Sequence, residues 1–454
     1  MGSRAIIWKL VILAAVTLLL CIVLLRIGWL VNERQGRQQE AVQSVEQAQA
    51  GAQTLLGPLL QRQCVEEWEA VTGQGAERRV AMEKREFTLV AAPAKLQVGG
   101  TLRQEARYRG LFKVNGYAGD LLLEAQWGSV ESLQPRAEHA GSKLQCNDPE
   151  LMLAVSDARG LRSAELSLGA QSLAVRPGTH HPKYERGLHA VLPLPLALPV
   201  AVQIKLDLQG TGRFALVPAA ASTKLNLKSD WPHPSFGGRF LPSERTVDAS
   251  GFTAQWTVSE LASTAAADVL ARKPMPDVGS SGPERTSEID TLEVGLVDPV
   301  NPYVMSDRAI KYGLLFILLT FVCVGLVELL AGRRVHPVQY LLVGLALSVF
   351  FLLLLSLSEH LSFGLSYAMA SGAAVVLLGY YGVAMLGSWA RGIGFGALVA
   401  GLYGALYTLL RLEQAALVIG ALLLFALLAA VMTLTRRLDW YALGAGTTPT
   451  VSTR

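Results

Sequence analysis

An acid and a histidine interrupt an apolar run in LLLLSLSEHLSFGLSYAMAS, residues 352–371: they are Glu359 and His360. A carboxylate beside an imidazole can exchange a proton near neutral pH, which suits acid–base catalysis or pH sensing. Three readings are open. The pair titrates or catalyses; it is a docking point between a membrane part and a soluble part; or it is a polar turn, with Ser356, Ser358 and Ser362 satisfying nearby backbone groups.

Other candidate chemistry is sparser. Zinc needs three or four Cys, His, Asp or Glu side chains at tetrahedral spacing, often with two His on one helical face. The nearest group is His180, His181 and His189 in RPGTHHPKYERGLHA, a polar, turn-rich stretch that reads as surface histidines, with a weak metal site as the alternative. No metal and no cofactor are expected. G-x-S-x-G, the S-x-x-K set of penicillin-recognising enzymes, and the P-loop and dinucleotide fingerprints are all missing, so no catalytic residue is assigned and no enzyme is expected.

Two further groups invite a role. In WPHPSFGG, Trp231, His233, Ser235 and Phe236 lie close together, and two prolines impose an extended, rigid course. The segment is either a clamp on a β core or a binding rim formed by Trp231, His233 and Phe236. Glu328 falls inside an apolar window, where an ionisable side chain is a functional candidate by default. Arg333 and Arg334 follow about one turn later and supply a simpler account by pairing.

The elements that must position these residues are largely membrane helices. The 454 residues are 51% hydrophobic, and the charge is concentrated between the first apolar window and the rest. A hydrocarbon core of about 30 Å needs roughly 20 apolar residues as helix. Six windows qualify: 5–25, 310–330, 338–357, 364–386, 393–410 and 415–434. The first reads as an uncleaved signal anchor, because Arg26, Trp29 and Asn32 follow the apolar stretch and no A-x-A site ends it. Lys9 within it can snorkel to the surface.

Short loops carrying Arg333 and Arg334, then Arg391, then Arg436 and Arg437 alternate with loops whose sole basic residue is Arg411, near Glu413. Basic loops stay cytoplasmic, so both termini are expected inside and residues 27–308 outside. That places Glu359 and His360 at the outer end of the third span. No basic tract with interleaved aromatics points to nucleic acid.

The outer part opens with helical spacing from Arg34 to Leu60, where Val42, Val45, Ala52, Leu56 and Leu59 recur. Beyond about Glu77, alternating runs such as KLQVGGTL, LFKVNGYAGDLLLEAQW, VQIKLDLQGTGRFALVP, TKLNLKS and FTAQWTVSEL predict a largely antiparallel β structure. Asn115-Gly116 signals a hairpin, with a longer turn as the alternative, and the glycines of LQGTGRF allow a tight reversal. Residues 272–288 are rich in Pro, Gly and Ser and predict a mobile loop. Cys64 and Cys146 share the oxidising side and are proposed as a disulfide, with free thiols as the alternative; Cys21 and Cys323 sit in spans as small apolar residues.

The series SDWPHPSFGGRFLP, GFTAQWTVSEL, VDPVNPY, KYGLLFILLTF, HPVQYLLVGLALSVFFLLLLSLSEHLSF and TRRLDWY closely resembles the CreD family of bacterial inner-membrane proteins, as do RYRGLFKVNGY and VSDARGL. The likeness runs in order over nearly the whole chain; a Trp expected shortly before GPLL is absent. It implies a bacterial inner-membrane protein tied to cell-envelope integrity and a β-lactam-associated response, and it brings no catalytic residues.

The expected architecture is an α+β membrane protein. It comprises an N-terminal anchor (1–30), a helical lead segment (31–76), a β-rich periplasmic domain (77–308), a five-span bundle (309–440) and a cytoplasmic tail (441–454). The expected function is non-enzymatic support of the envelope, coupling a periplasmic binding event to the bundle, with the bilayer and an unidentified periplasmic or envelope partner. The alternative is a small-molecule or lipid transporter or flippase. Against it stand an odd number of spans and no evident inverted repeat; the glycines of GIGFGALVAGLYGAL fit either that alternative or plain helix packing.

Overall fold

The computed structural model describes residues 3–72, 79–276, 289–298, 301–331 and 335–411, with isolated positions between 418 and 436. The chain divides into two compact units, Glu40–Pro299 and the pair of segments Met1–Gln39 and Val300–Arg454. Helix α1 (Ser3–Ala48) contributes to both.

The middle unit is two β-sheets sharing one large core, with a second, smaller cluster that includes Leu56, Leu59, Met152 and Val269. Its strands are β1 (Gln53–Thr72), β2 (Arg79–Ala91), β3 (Lys95–Arg109), β4 (Phe112–Trp127), β5 (Lys143–Cys146), β6 (Glu150–Val155), β7 (Leu161–Leu168), β8 (Gln171–Leu173), β9 (Arg176–Pro177), β10 (Gly187–Val191), β11 (Val200–Thr211), β12 (Arg213–Leu216), β13 (Ser222–Ser229), β14 (Pro234–Gly238), β15 (Glu244–Asp248), β16 (Gly251–Ser259) and β17 (Leu292–Leu296), with the short helix α2 (Ala265–Leu270) before β17. One sheet runs β14-β17-β12-β1-β6-β10-β9, with β2 and β5 also paired to β1; the other runs β15-β16-β13-β3-β4-β11-β7-β8. Pairing is antiparallel except for β1 with β12 and β13 with β3.

Alternation explains the second sheet. In β13, Thr223, Leu225 and Leu227 turn inward while Lys224, Asn226 and Lys228 face out, and β11 repeats the pattern with Val202, Ile204, Leu206 and Leu208. Burying one such Leu side chain contributes about 1.5–3 kcal/mol. The aromatic residues satisfy their polar ends inside: Trp127 Nε1 donates to the Ala91 carbonyl at 3.0 Å and the Tyr117 hydroxyl to that of Arg213 at 2.9 Å.

Several local expectations are corrected. The helical lead segment ends at Ala48, and Gln53–Thr72 is the central strand of the first sheet. Residues 51–60 are all buried, so β1 has no polar face there, and a strand buried on both sides carries no period that distinguishes it from helix. Gly57 has φ +106° and marks a register shift between Leu56 and Leu59 against β6. Asn115-Gly116 makes no hairpin, because both residues lie inside β4; the reversal from β3 comes earlier, at Gly110-Leu111, with Arg109 opposite Phe112. At Gly212, φ +67°, the chain does not fold back on its own sheet but passes from the second sheet to the first. Most of the expected loop, residues 277–288, lies outside the described residues.

The other unit is helical: the first part of α1 with α3 (Pro302–Lys311), α4 (Gly313–Ala331), α5 (Pro337–Ser358), α6 (Phe363–Leu386) and α7 (Trp389–Arg411). Among the described residues four helices are long and apolar enough to cross a membrane, and a fifth arises if α3 and α4, bent by 45°, form one span. The window 415–434 falls mostly outside the described residues. Leu20, Leu24 and Ile27 of α1 join one core with Phe316, Phe321, Val343 and Leu347. Glycines set the α6–α7 approach: a methyl on Gly396 would lie 3.3 Å from the Gly379 Cα, and one on Gly392 would lie 2.6 Å from the Val383 nitrogen.

Candidate functional site

Two polar groups in the helical unit join α1 to the C-terminal helices. In the first, Lys9 on α1 is ion-paired with Glu328 on α4. The Tyr340 hydroxyl on α5 donates to the other Glu328 oxygen at 2.9 Å, and the Lys9 ammonium stands 5.7 Å from the Tyr340 ring centroid. Arg333 and Arg334, the partners expected for Glu328, lie outside the described residues. In the second group Glu359, the C-cap of α5, lies 3.6 Å from Arg34 Nε on α1 and accepts the Tyr303 hydroxyl at 3.5 Å. Next to it, Asn301 caps α3 by accepting the Tyr303 N–H at 3.0 Å and donates to Gln38 of α1 at 2.9 Å.

At 1.5 Å per residue, Lys9 and Arg34 are about 38 Å apart along α1. That matches a hydrocarbon core of about 30 Å plus part of each interfacial layer. The two groups therefore bracket the apolar stretch of α1, and their charges sit at its ends, where burial costs least.

Glu359 and His360 do not form a dyad. The carboxylate is turned to Arg34 and Tyr303, while the His360 ring is exposed and makes no hydrogen bond or ion pair among the described residues. What these contacts provide is cohesion between helices.

The middle unit fastens α1 by its end. The carbonyl of Glu46 accepts from Arg159 Nη2 at 3.0 Å and that of Gln47 accepts from Nη1. Asp157 orients the guanidinium, with Oδ1 at 2.9 Å from Nε, and its other oxygen accepts the Gly51 N–H at 3.1 Å. These carbonyls are the unsatisfied acceptors of a helix C-terminus, and a cation there also matches the helix dipole. The VSDARGL stretch showed no sign of this role.

The remaining sequence candidates are dispersed. Trp231 is buried, with Nε1 donating to the carbonyls of His233 at 2.9 Å and Val297 at 3.2 Å. Phe236 meets Phe252 and Trp256 edge-on, which leaves only His233 of the three candidate rim residues exposed. Cys64 of β1 lies directly opposite Cys146 of β5, and the two are disulfide-bonded across a separation of 82 residues. Cys21 and Cys323 are free. His181 is buried against Tyr184 and accepts two backbone N–H groups; burial and the Arg272 charge hold its pKa down at about 4. The His180 and His189 rings meet at a tilt of 39°, centroids 3.8 Å apart, beside Glu150.

A buried carboxylate escaped the sequence reading altogether. Glu66 on β1 accepts the N–H groups of Glu138 and His139 at 2.8 and 2.9 Å and the Ser142 hydroxyl at 2.7 Å, and pairs with Arg85 at 3.0 Å. The His139 N–H, the Ser142 hydroxyl, the Glu138 N–H and the Arg85 charge, in that order, hold its pKa at about 2 against the cost of burial. Glu66 and the disulfide two residues before it tie the loop and β5 onto β1.

Comparison with known proteins agrees with the helical and β-rich parts together. The family model described as "Inner membrane protein CreD" matches residues 5–441. The chain belongs to the CreD family. A relative within it, Inner membrane protein CreD of Escherichia coli (strain K12), is 33% identical over 441 residues, which cover 96% of this chain and 94% of the relative. CreD membership makes this an inner-membrane protein, with several apolar helices and a β-rich unit. Among solved structures, a substrate-bound mutant of an M1 zinc metallopeptidase from Deinococcus radiodurans gives a TM-score of 0.23 at 12% identity over 45% of this chain and 42% of that chain. A second crystal structure of a mutant of that peptidase gives 0.23 at 12% identity over 78% of this chain and 91% of that chain. Likeness at that level carries no argument about this CreD protein.

Proposed function

We propose that this chain is a non-enzymatic support of cell-envelope integrity, active under envelope stress that includes β-lactam exposure, which passes a binding event in its β-rich unit to the helical bundle through α1. Both termini are cytoplasmic in this reading, and residues 27–308 are periplasmic. The alternation of arginines in the short loops supports that orientation, and the Cys64–Cys146 disulfide suits an oxidising compartment. The partner in this reading is a periplasmic or envelope component, which crosslinking from the β-rich unit in cells would identify.

The observation that carries the reading is that α1 is held in both units. Arg159 grips its last carbonyls, while Glu328 and Glu359 hold Lys9 and Arg34. A continuous helix fixed in this way conveys a displacement, because packed cores shift between discrete arrangements rather than deforming smoothly.

Cells lacking the protein, complemented at matched levels with wild type, Arg34→Glu, Glu359→Arg or the double swap, test it. Each single swap is expected to leave the envelope sensitive to β-lactams and detergent, and the double swap to restore resistance at least in part. Full complementation by both single swaps would remove coupling through α1.

A further inference from the structure

Glu150 opens β6, and His189 lies on the neighbouring β10. In their antiparallel register His189 stands opposite Met152 and Val191 opposite Glu150, which makes His189 and Glu150 diagonal neighbours on one face. The loop before β10 brings in the third group, His180. One nitrogen from each imidazole and one Glu150 oxygen lie within 4.8 Å of one another. The sequence grouped His180 and His189 with His181; the fold leaves His181 out and brings in Glu150, 30 residues from His180 along the chain.

The surroundings orient these atoms. His189 is 3% exposed, and its Nδ1 lies 2.6 Å from the Gly178 carbonyl. A carbonyl only accepts, so Nδ1 carries the proton and Nε2 keeps a lone pair, the usual arrangement of a histidine that binds a metal. The Glu150 carboxylate is 14% exposed, with oxygens 3.2 and 3.3 Å from His180 Nδ1 and Gln61 Nε2 3.4 Å from one of them. From β1, Gln61 donates to the Thr179 carbonyl and Gln63 to that of His180, at 2.5 Å in the second case. His180 itself holds φ +59°, the left-handed region that non-glycine residues adopt infrequently, histidine more often than most, so the fold fixes its backbone in an uncommon conformation.

We propose that Glu150, His180 and His189 form a binding site for a borderline divalent transition metal, Zn²⁺ above all. Two imidazoles and a carboxylate suit such an ion and not Ca²⁺ or Mg²⁺, which take oxygen ligands. Three protein ligands leave a fourth position for water or an anionic group. The His180 side chain is 51% exposed and gives the ion access from solvent, while the other two ligands sit on adjacent strands as the rigid part of the site.

The test uses the full chain in detergent, purified without a histidine tag, titrated with ZnCl₂ by calorimetry and with CoCl₂ by visible absorption. One saturable Zn²⁺ per chain is expected, with the intense absorption of tetrahedral Co²⁺. His180→Gly and Glu150→Gln should each weaken binding by about tenfold or more, since even outer contacts of metal ligands are worth that much. His233→Ala, at an exposed histidine outside the group, should bind as wild type does. His180→Gly suits the positive φ, so it should fold at least as well as the parent, which circular dichroism checks. Absence of saturable binding, or equal binding by wild type and folded His180→Gly, overturns the site.

Discussion

Lys9 near the start of α1 and Glu328 near the end of α4 are ion partners 319 residues apart in sequence, and Tyr340 completes the contact from α5. The pair replaces two isolated charges at the edge of an apolar bundle with one compensated group. Lys9→Met and Glu328→Gln should each lower thermal stability in detergent, and the double variant should lose less than their sum. The expected coupling is about 1–2 kcal/mol, within the range found for residues in direct contact. Strict additivity in that cycle would show the contact to be incidental.

Glu66 should make the β-rich unit acid-sensitive over a defined window. Its carboxyl has a lower pKa in the folded chain, about 2, than its ordinary 4.5, so the unfolded chain binds the proton more readily. The stabilisation is therefore complete above about pH 4.5 and lost as pH falls toward 2. Denaturant midpoints measured across that window should fall more steeply for wild type than for Glu66→Gln. Parallel curves would assign the acid response to other groups.

The disulfide predicts a specific thiol count. After unfolding without reductant, mass spectrometry should find Cys21 and Cys323 alkylated and Cys64 and Cys146 protected, all four becoming reactive after reduction. Replacing both Cys64 and Cys146 by Ala should cost about 2–4 kcal/mol, since the bridge closes a long loop. Alkylation of Cys64 before reduction contradicts the pairing.

Glycines of α7 should differ sharply in tolerance. Gly392→Ala drives a methyl to 2.6 Å from the Val383 nitrogen and should destabilise the α6–α7 pair by about 1–3 kcal/mol. A methyl at Gly394 meets nothing within 4 Å, and Gly394→Ala should be neutral or mildly stabilising. Melting curves of the two variants in detergent compare them directly, and equal losses would refute close packing at Gly392.

How much could be read in advance follows from where the signal is local. The apolar windows announced the spans, and the alternating runs around Leu225 and Ile204 announced strands, because a helix or strand with one buried face writes its period into the chain. β1 escaped for the opposite reason: buried on all sides from 51 to 60, it has no polar face to mark its period. Asn115-Gly116 misled because close approach of Gly116 to the carbonyls of Glu105 and Gly210, not a turn, explains that glycine.

By itself the sequence determined that this is a membrane-spanning chain with a β-rich insert, since those features depend on composition and short-range pattern. Only tertiary structure decided the partners: Arg34 for Glu359, Lys9 for Glu328, Arg159 for the end of α1, Glu150 for His180 and His189. Those contacts join residues tens to hundreds of positions apart, and a side chain's type limits what it can bind without naming what the fold will bring to it.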